Sequence, residues 1–440
     1  MAYYLYYPHL SPYRGGRGRR PPGRAAGEEA VPVNARRSSA LTRFSGALGA
    51  AVLAVTLASC SSTPSGSGGA SFTGAPVSIG VICSCTGALA SSMATSPQTY
   101  QAWADEVDAH GGVNGHKVVV ISKNDALNPG TALAEAHELI DTDHVVALVD
   151  SSTEDTAWSS YASQQGVPIV GGDAQSTLQL TDSDLYAAGE TIDGFFVTYA
   201  YAAKKVGATN IGNLYCAESP SCAQAVALLR NTAKALNLTV SYVTEISAAQ
   251  PSYTAACLAA KQAGVTGLLV GEAVSTDQVV AQQCSAQGYF PYYIEGDGAI
   301  SKSFVNAPGL DQHFIGFEQD VPFFLTNTPG TKLMNDSLQK YAPSVLSSPN
   351  YGEENTQMWV SGLLFQEAAK KANAGKNGPI TSAQIVTGLH LISNDTLGGM
   401  APPLTFKANQ PNPVHCWFWV TIQNHKFTAP NGATPICPSS

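Results

Sequence analysis

From about residue 76 onward, short apolar runs alternate with longer amphipathic segments. VSIGVI (77–82) predicts a buried strand, and Pro97 to Ala109 a helix that ends at the turn HGGVNG (110–115). KVVVIS (117–122) predicts a strand, Thr131 to Ile140 a helix, and VVALVD (145–150) and VPIVGGD (167–173) two further strands. The alternation then starts again: helix 191–206, strand 209–215, helix 221–236, strand 239–245, helix 253–262, strand 267–271, helix 276–287 and strand 291–295. Strands spaced by helices require parallel sheets with right-handed crossovers. Two successive sets of this kind predict an α/β fold of two doubly wound, Rossmann-like lobes. Further on, 352–372 reads as a helix that packs through Trp359, Leu363, Leu364 and Ala368, and CWFWV (416–420) as a late strand with one face on a core.

The apolar stretch from about Ser45 to Thr56 is shorter than the ~20 residues a spanning helix needs, and has the length of a signal-peptide core. Arg36, Arg37 and Arg43 precede it, and Leu57-Ala58-Ser59 leads into Cys60. This stretch resembles a bacterial lipobox, which implies that Cys60 is lipidated and becomes the mature N-terminus. The other reading is an ordinary secretory signal with a chance cysteine; both export the chain. Residues 1–35 are rich in Tyr, Arg, Gly and Pro, lack apolar periodicity and are expected to be disordered. Translation beginning near Val31 or Val33 would account for them. Arg36-Arg37 matches a twin-arginine signal poorly. The expected organisation is a leader over 1–59, a Ser/Gly/Pro tether over 60–75 and a folded region from 76 to the end.

Charge narrows the partners. Eight of the 23 Lys and Arg but only two of the 32 acids precede Cys60, so the rest of the chain has 15 basic against 30 acidic residues, a net charge near −15. Arg230 is its only arginine. Nucleic acid is therefore not an expected partner, since it calls for clustered cations, and phosphate-rich ligands lack their usual bidentate donor.

Eight cysteines follow Cys60, an even number in an exported chain, which predicts disulfides. Their order suggests Cys216–Cys222, Cys257–Cys284 and Cys416–Cys437, with Cys83–Cys85 as the remaining and tightest pair. A zinc site is the rival, but Cys83-Ser84-Cys85 has the wrong spacing and no Cys/His cluster completes it. No metal or cofactor is expected, and the chain is not expected to be an enzyme. His137-Glu138 begins like a zincin helix, but Asp141 stands where the second histidine belongs. There is no nucleophile elbow and no phosphate-binding Walker loop. The acids Glu154, Asp155 and Asp173 remain as a conceivable hydrolytic set.

Ligands of doubly wound sheets sit beyond the carboxyl ends of strands. The segments found there are CSCTGALASS (83–92), DSSTEDT (150–156), GGDAQST (171–177), CAESPSC (216–222), GEAVST (271–276) and EGDGA (295–299). They are rich in Gly, Ser, Thr and acids, which suits turns and helix caps as well as a polar ligand.

Four features of this order resemble the type I periplasmic binding proteins of the branched-chain amino-acid ABC-transporter family, the leucine-binding-protein type. These are the TGALA loop (86–90), the long segment AWADEVDAHGGVNGHKVVVISKNDALNPGTALAEAHELI, the SST (151–153) after the third strand, and GVPIVGGDAQS. The resemblance covers nearly all of 76–430 and is weaker after about 320. It implies two lobes joined by a hinge. Lobe 1 would combine 76–195 with 319–405, and lobe 2 would combine 196–318 with 406–440. It also implies a ligand-delivery partnership with an ABC permease and its ATPase, at the membrane through the lipid anchor. A tethered sensor of the same fold, signalling to a membrane partner, is the alternative.

By the same resemblance, the ligand's carboxylate would meet Ser151, Ser152 and Thr153, together with Asp173, Ala174 and Gln175. A first-loop contact would come from Ser91 or Ser92. Its ammonium would meet Asp297, with Glu272 or Glu295 as substitutes. A tyrosine of the leucine-binding members falls here at Ala273, and another aromatic position falls near Pro220 or Ser221. Asp173 stands where a small residue is usual. A carboxylate there would repel a ligand carboxylate and favour instead a hydroxylated, amide or cationic ligand.

Overall fold

The structure, a computed structural model, describes residues 71–172, 177–218, 220–296 and 298–437. The leader, Cys60, the tether up to residue 70, the Asp173, Ala174 and Gln175 group, and Asp297 lie outside the described residues.

The first lobe opens with β1 (Val77–Cys83), α1 (Ala90–Met93), α2 (Ser96–Ala109), β2 (Val118–Asn124) and α3 (Pro129–His137). It continues through β3 (Leu148–Ser151), α4 (Asp155–Gln164), β4 (Ile169–Gly172) and β5 (Leu185–Tyr186). The five strands form one parallel sheet in the order β2-β1-β3-β4-β5. α3 begins two residues ahead of the expected Thr131, because the Asn128 side chain accepts from the Thr131 N–H at 2.9 Å and Pro129 takes a first-turn position. It gives way to a π-helical turn at Glu138–Thr142, where His137 and Tyr161 both contact the Asp141 carboxylate.

The second lobe follows with α5 (Ile192–Lys205), β6 (Asn210–Cys216), α6 (Pro220–Ala235), β7 (Thr239–Ile246), α7 (Thr254–Gln262) and β8 (Gly267–Gly271). Then come α8 (Val274–Ala286), β9 (Tyr292–Glu295) and β10 (Phe314–Glu318). The chain next forms α9 (Pro329–Tyr341), α10 (Pro343–Ser347), α11 (Glu353–Lys371) and α12 (Ser382–Leu389), of which α9 and α11 pack on α2, and α11 also on β4. It ends with β11 (Phe418–Ile422) and β12 (Phe427–Thr428) in the second sheet, whose order is β12-β11-β10-β9-β8-β6-β7. From β7 to β10 that sheet is parallel, but β11 and β12 run antiparallel at its edge, a direction that the alternation of strands and helices does not specify.

Side-chain alternation builds a core on each face of both sheets. In β8, Leu268 and Val270 face one helix layer, with the Cys257–Cys284 disulfide, while Leu269 faces α5 and α6. That disulfide spans 27 residues and contributes about 3.5 kcal/mol in the chain-entropy picture. Cys83–Cys85, Cys216–Cys222 and Cys416–Cys437 are also bonded. Three stretches pass between the lobes: after β5, after β10 and before β11. Two of them are zipped together, with Thr191 N donating to Val414 O at 2.9 Å and Val414 N to Thr191 Oγ1 at 3.0 Å.

Candidate functional site

In each sheet the strand order reverses at one point, between β1 and β3 in the first and between β6 and β8 in the second. Adjacent loops leave in opposite directions there, and a crevice opens beyond the strand ends. A cavity of ≈ 100 Å³ lies at this place. Lobe 1 lines it with Leu89, Ser92, Met93 and Thr153. Lobe 2 walls it with Phe196 and Tyr199 of α5 and Leu269 of β8, and sets Glu218 and Glu272 at the ends of β6 and β8. The space has room for a small ligand, with a largely apolar body and few polar groups.

The lobes touch across the seam. α1 packs on the start of α8, where Leu89, Met93, Cys83 and Ala273 share an apolar contact. Ala273 is the N-cap residue of α8 and has no side chain to cap it. Ser92 and Ser91 supply the acceptors instead: Val274 N donates to Ser92 Oγ at 3.3 Å and Ser275 N to Ser91 Oγ at 3.2 Å. Two free N–H groups of one lobe's helix are thus satisfied by hydroxyls of the other lobe. Ser91, Ser92 and Ala273, three of the expected positions, meet here.

Ser151, Ser152 and Thr153 stand at the end of β3, at the seam. Their groups are engaged within lobe 1. Ser151 Oγ donates to Glu354 Oε1 at 2.7 Å, beside Ser96 Oγ on the same oxygen at 2.6 Å. Ser152 Oγ donates to Asp125, which also accepts from Ser84 Oγ at 2.9 Å. Ser152 N donates to Asp150 Oδ1 at 3.0 Å, and Thr153 N to Ser84 Oγ at 3.2 Å. A hydroxyl has one proton to donate, so Ser151 and Ser152 present lone pairs, not donors, to anything beside them. Thr153 Oγ1 is buried, lines the cavity and has no partner.

The lobe-2 side is acidic. Glu218 Oε1 accepts from Ser247 Oγ and Ala248 N, both at 2.8 Å. Glu272 Oε2 accepts from Ala273 N at 3.2 Å, and its carboxyl group hydrogen-bonds the Glu218 carboxyl group. Burial, then the neighbouring Glu218 carboxyl, push Glu272 up to about 8. Burial pulls Glu218 upward too, but the hydrogen bonds from Glu272, Ser247 and the Ala248 amide outweigh it and leave it below its ordinary value. Near pH 7 the two carboxyl groups therefore share one proton, carried mainly by Glu272. Glu295 and Asp277 lie behind them, buried and held well above the usual carboxylate range, in both cases chiefly by burial. Among the described residues eleven Asp and Glu side chains are buried and no Lys or Arg is.

Glu218 was not singled out by the reading of the sequence, although CAESPSC was. Its role depends on Glu272, which arrives only when β6 and β8 pair. Nor did the helical pattern of α5 distinguish Phe196 and Tyr199, which wall the cavity, from ordinary core.

A family model described as "Periplasmic binding protein" matches residues 76–426. A Leu/Ile/Val-binding protein homolog 8 of Brucella abortus (strain 2308) is 25% identical over 308 residues, covering 66% of this chain and 76% of the relative. A branched-chain amino-acid ABC transporter protein of Thermus thermophilus, solved with bound valine, superposes with a TM-score of 0.72 at 14% identity, over 84% of this chain and 98% of that one. A fatty acid ABC transporter substrate-binding protein of Thermomonospora curvata superposes with a TM-score of 0.70 at 16% identity, over 82% and 93%. Two doubly wound lobes, a crevice at the switch points of both sheets and a match along most of the length agree: the chain belongs to the periplasmic binding protein family.

Proposed function

We propose that the protein is an extracytoplasmic lipoprotein that captures a small polar ligand, an amino acid, an amide or a similar molecule, and delivers it to an ABC permease. The observation that carries this reading is the cavity at the seam, lined by strand-end loops of both lobes. The Leu/Ile/Val-binding name of the Brucella relative supports an amino-acid-like size. In this reading lobe 1 is 76–195 with 319–405 and lobe 2 is 196–318 with 406–440, hinged at the three crossings. Asp297 and the group Asp173, Ala174 and Gln175 stay within the proposal as contacts of the ligand. The family is one of solute binders, so the energy for transport comes from the partner ATPase.

A thermal-shift panel of amino acids, amides, amines, polyamines, short-chain acids and sugars tests it. A true ligand at 100 times its Kd adds about 2.7 kcal/mol of stability; a panel with no stabilising compound would count against capture. Removing both cross-seam hydroxyls, Ser91→Ala with Ser92→Ala, should weaken that ligand by about tenfold. Two hydrogen bonds of about 1 kcal/mol each favour the closed form, and affinity falls with its population. Unchanged affinity by titration would show that these contacts do not hold the cleft closed.

The anchor is tested separately. Cys60→Ala should move the protein from the membrane to the soluble extracytoplasmic fraction and abolish acyl labelling. Continued labelling would rule Cys60 out as the lipid attachment site.

A further inference from the structure

We propose that Asn213 is a specificity-determining residue of the cleft, whose side-chain amide selects a ligand with an uncharged hydrogen-bonding group, a hydroxyl or an amide, on the part that enters the second lobe. This rests on the reading of the seam cavity as the binding site.

The strand itself does not call for an asparagine. β6 lies between β7 and β8, and Asn213 pairs there with Val243 and Leu269. Asparagine is disfavoured in strands, where β-branched and aromatic residues pack better. Ile211, on the same face of β6, and Leu269 beside it belong to the apolar cluster under α5 and α6, with Phe196 and Ala225. Asn213 is 3% exposed in this layer. A polar residue that breaks the local pattern with no structural return marks a functional position.

No such return is found. Three asparagines are buried among the described residues: Asn213, Asn355 and Asn412. The Asn355 amide donates to Thr95 Oγ1 and Thr99 Oγ1, both at 2.9 Å, and the Asn412 amide to Lys407 O and Gln410 O. Asn210, on the same strand as Asn213, donates to Ala263 O at 2.9 Å and Gly264 O at 2.8 Å. The Asn213 side chain lines the cavity and has no hydrogen-bond partner among the described residues.

Its place decides which part of a ligand it meets. Asn213 stands three residues inside the end of β6 at Cys216, roughly 10 Å behind it. The cavity therefore runs inward from the seam along the sheet, past Phe196 and Leu269. The acids of the wall, Glu218 and Glu272, stand at the strand ends and hydrogen-bond each other.

An amide offers one acceptor oxygen and two donors. A hydroxyl or an amide of the ligand pairs with it directly. A hydrocarbon in the same place leaves it buried and unpaired, a cost charged to that ligand alone. Sites built in this way reject an analogue without the polar group far more strongly than an apolar pocket rejects a missing methylene. A charged group is disfavoured there, because Asn213 brings no counter-charge and its surroundings are apolar.

The test is calorimetric titration of the full chain with two near-isosteric pairs, L-threonine with L-valine and L-asparagine with L-leucine. The polar member of at least one pair should bind at least tenfold more tightly than its partner. Asn213→Leu, close in volume, should reverse that order and leave the unliganded melting temperature unchanged or higher, since the fold loses no hydrogen bond. Asn213→Val is the second variant, expected to reverse the order too. Valine or leucine binding the wild type as tightly as its polar partner, or an order of preference that both variants keep, would overturn this inference and leave the cleft reading standing. If the only compound that binds is another member of the stability panel, both variants are titrated with it: a loss of tenfold or more bears out the role of Asn213, and unchanged affinity removes it. Absence of binding by the pairs and by the whole panel would remove both readings.

Discussion

Trp103→Ala should destabilise the first lobe by about 4 kcal/mol, in the range found when a large aromatic is removed from a packed core. Trp103 is 1% exposed on α2, 5.0 Å from the Tyr100 ring and edge-on to Phe365 of α11 at 6.4 Å. Its indole lies against the backbone of α11: a Cβ built on Gly362 would stand 2.2 Å from Trp103 Cδ2. Glycine at 362 is thus required by close approach, and the two helices meet through a flat ring seated on bare backbone. The indole N–H is buried without an acceptor, so no hydrogen bond is lost with the ring. Gly362→Ala alone should cost about 2 kcal/mol by overpacking. The double variant should cost less than the sum, because the added methyl partly fills the space that the ring leaves. Urea denaturation of the four proteins in the cycle gives the coupling. Strict additivity would show that the ring and Gly362 do not share this contact.

How far such features are legible in the sequence depends on the range of the interaction behind them. β8 begins and ends where its apolar run does, since GLLVG is bounded by turn residues and buried on both faces. α11 could be drawn from Trp359, Leu364 and Ala368, all of which are buried. β10, by contrast, has five residues that stand as a strand only because β9 and β11 flank them. β5 has two, held by β4 alone. The site divides in the same way. That Ser91 and Ser92 sit near the ligand region follows from their place after β1, but that they cap α8 depends on a contact 182 to 184 residues away. The orientation of Ser151 is set by Glu354, 203 residues on. Residue type and strand end locate a polar loop. Whether its hydroxyls are free to donate is decided by acids from elements that the loop meets only in the folded protein.

Glu353→Ala should cost about 3 kcal/mol and weaken the ligand by tenfold or more. Glu353 is fully buried in the first turn of α11, a helix of lobe 1, and it reaches into lobe 2. Its Oε2 accepts from Gly298 N and its Oε1 from Gln319 N, each at 3.1 Å, while its own N–H donates to Ile300 O at 2.9 Å. Gly298 belongs to the loop after β9, whose Gly296 and Ala299 line the cavity. Gln319 opens the crossing after β10. One carboxylate therefore holds both a wall of the cavity and a hinge strand against the other lobe. Truncation leaves two buried amides without an acceptor, each worth about 1–3 kcal/mol, and removes a negative charge from a helix N-terminus, where it is favoured. Glu353→Gln should fall between, since its amide group would turn a donor toward one of the two N–H groups. Thermal denaturation reads the first effect, and titration with whichever panel compound stabilises the wild type reads the second. Trp103→Ala is the contrast: its ring packs between α2 and α11 and does not line the cavity, so it should lower stability and leave affinity within about twofold. If Glu353→Ala behaves in that way too, the contacts of Glu353 serve the lobe core and not the closed cleft. If affinity falls with stability, the N-terminus of α11 is the point through which the first lobe sets the geometry of the second lobe's binding loop.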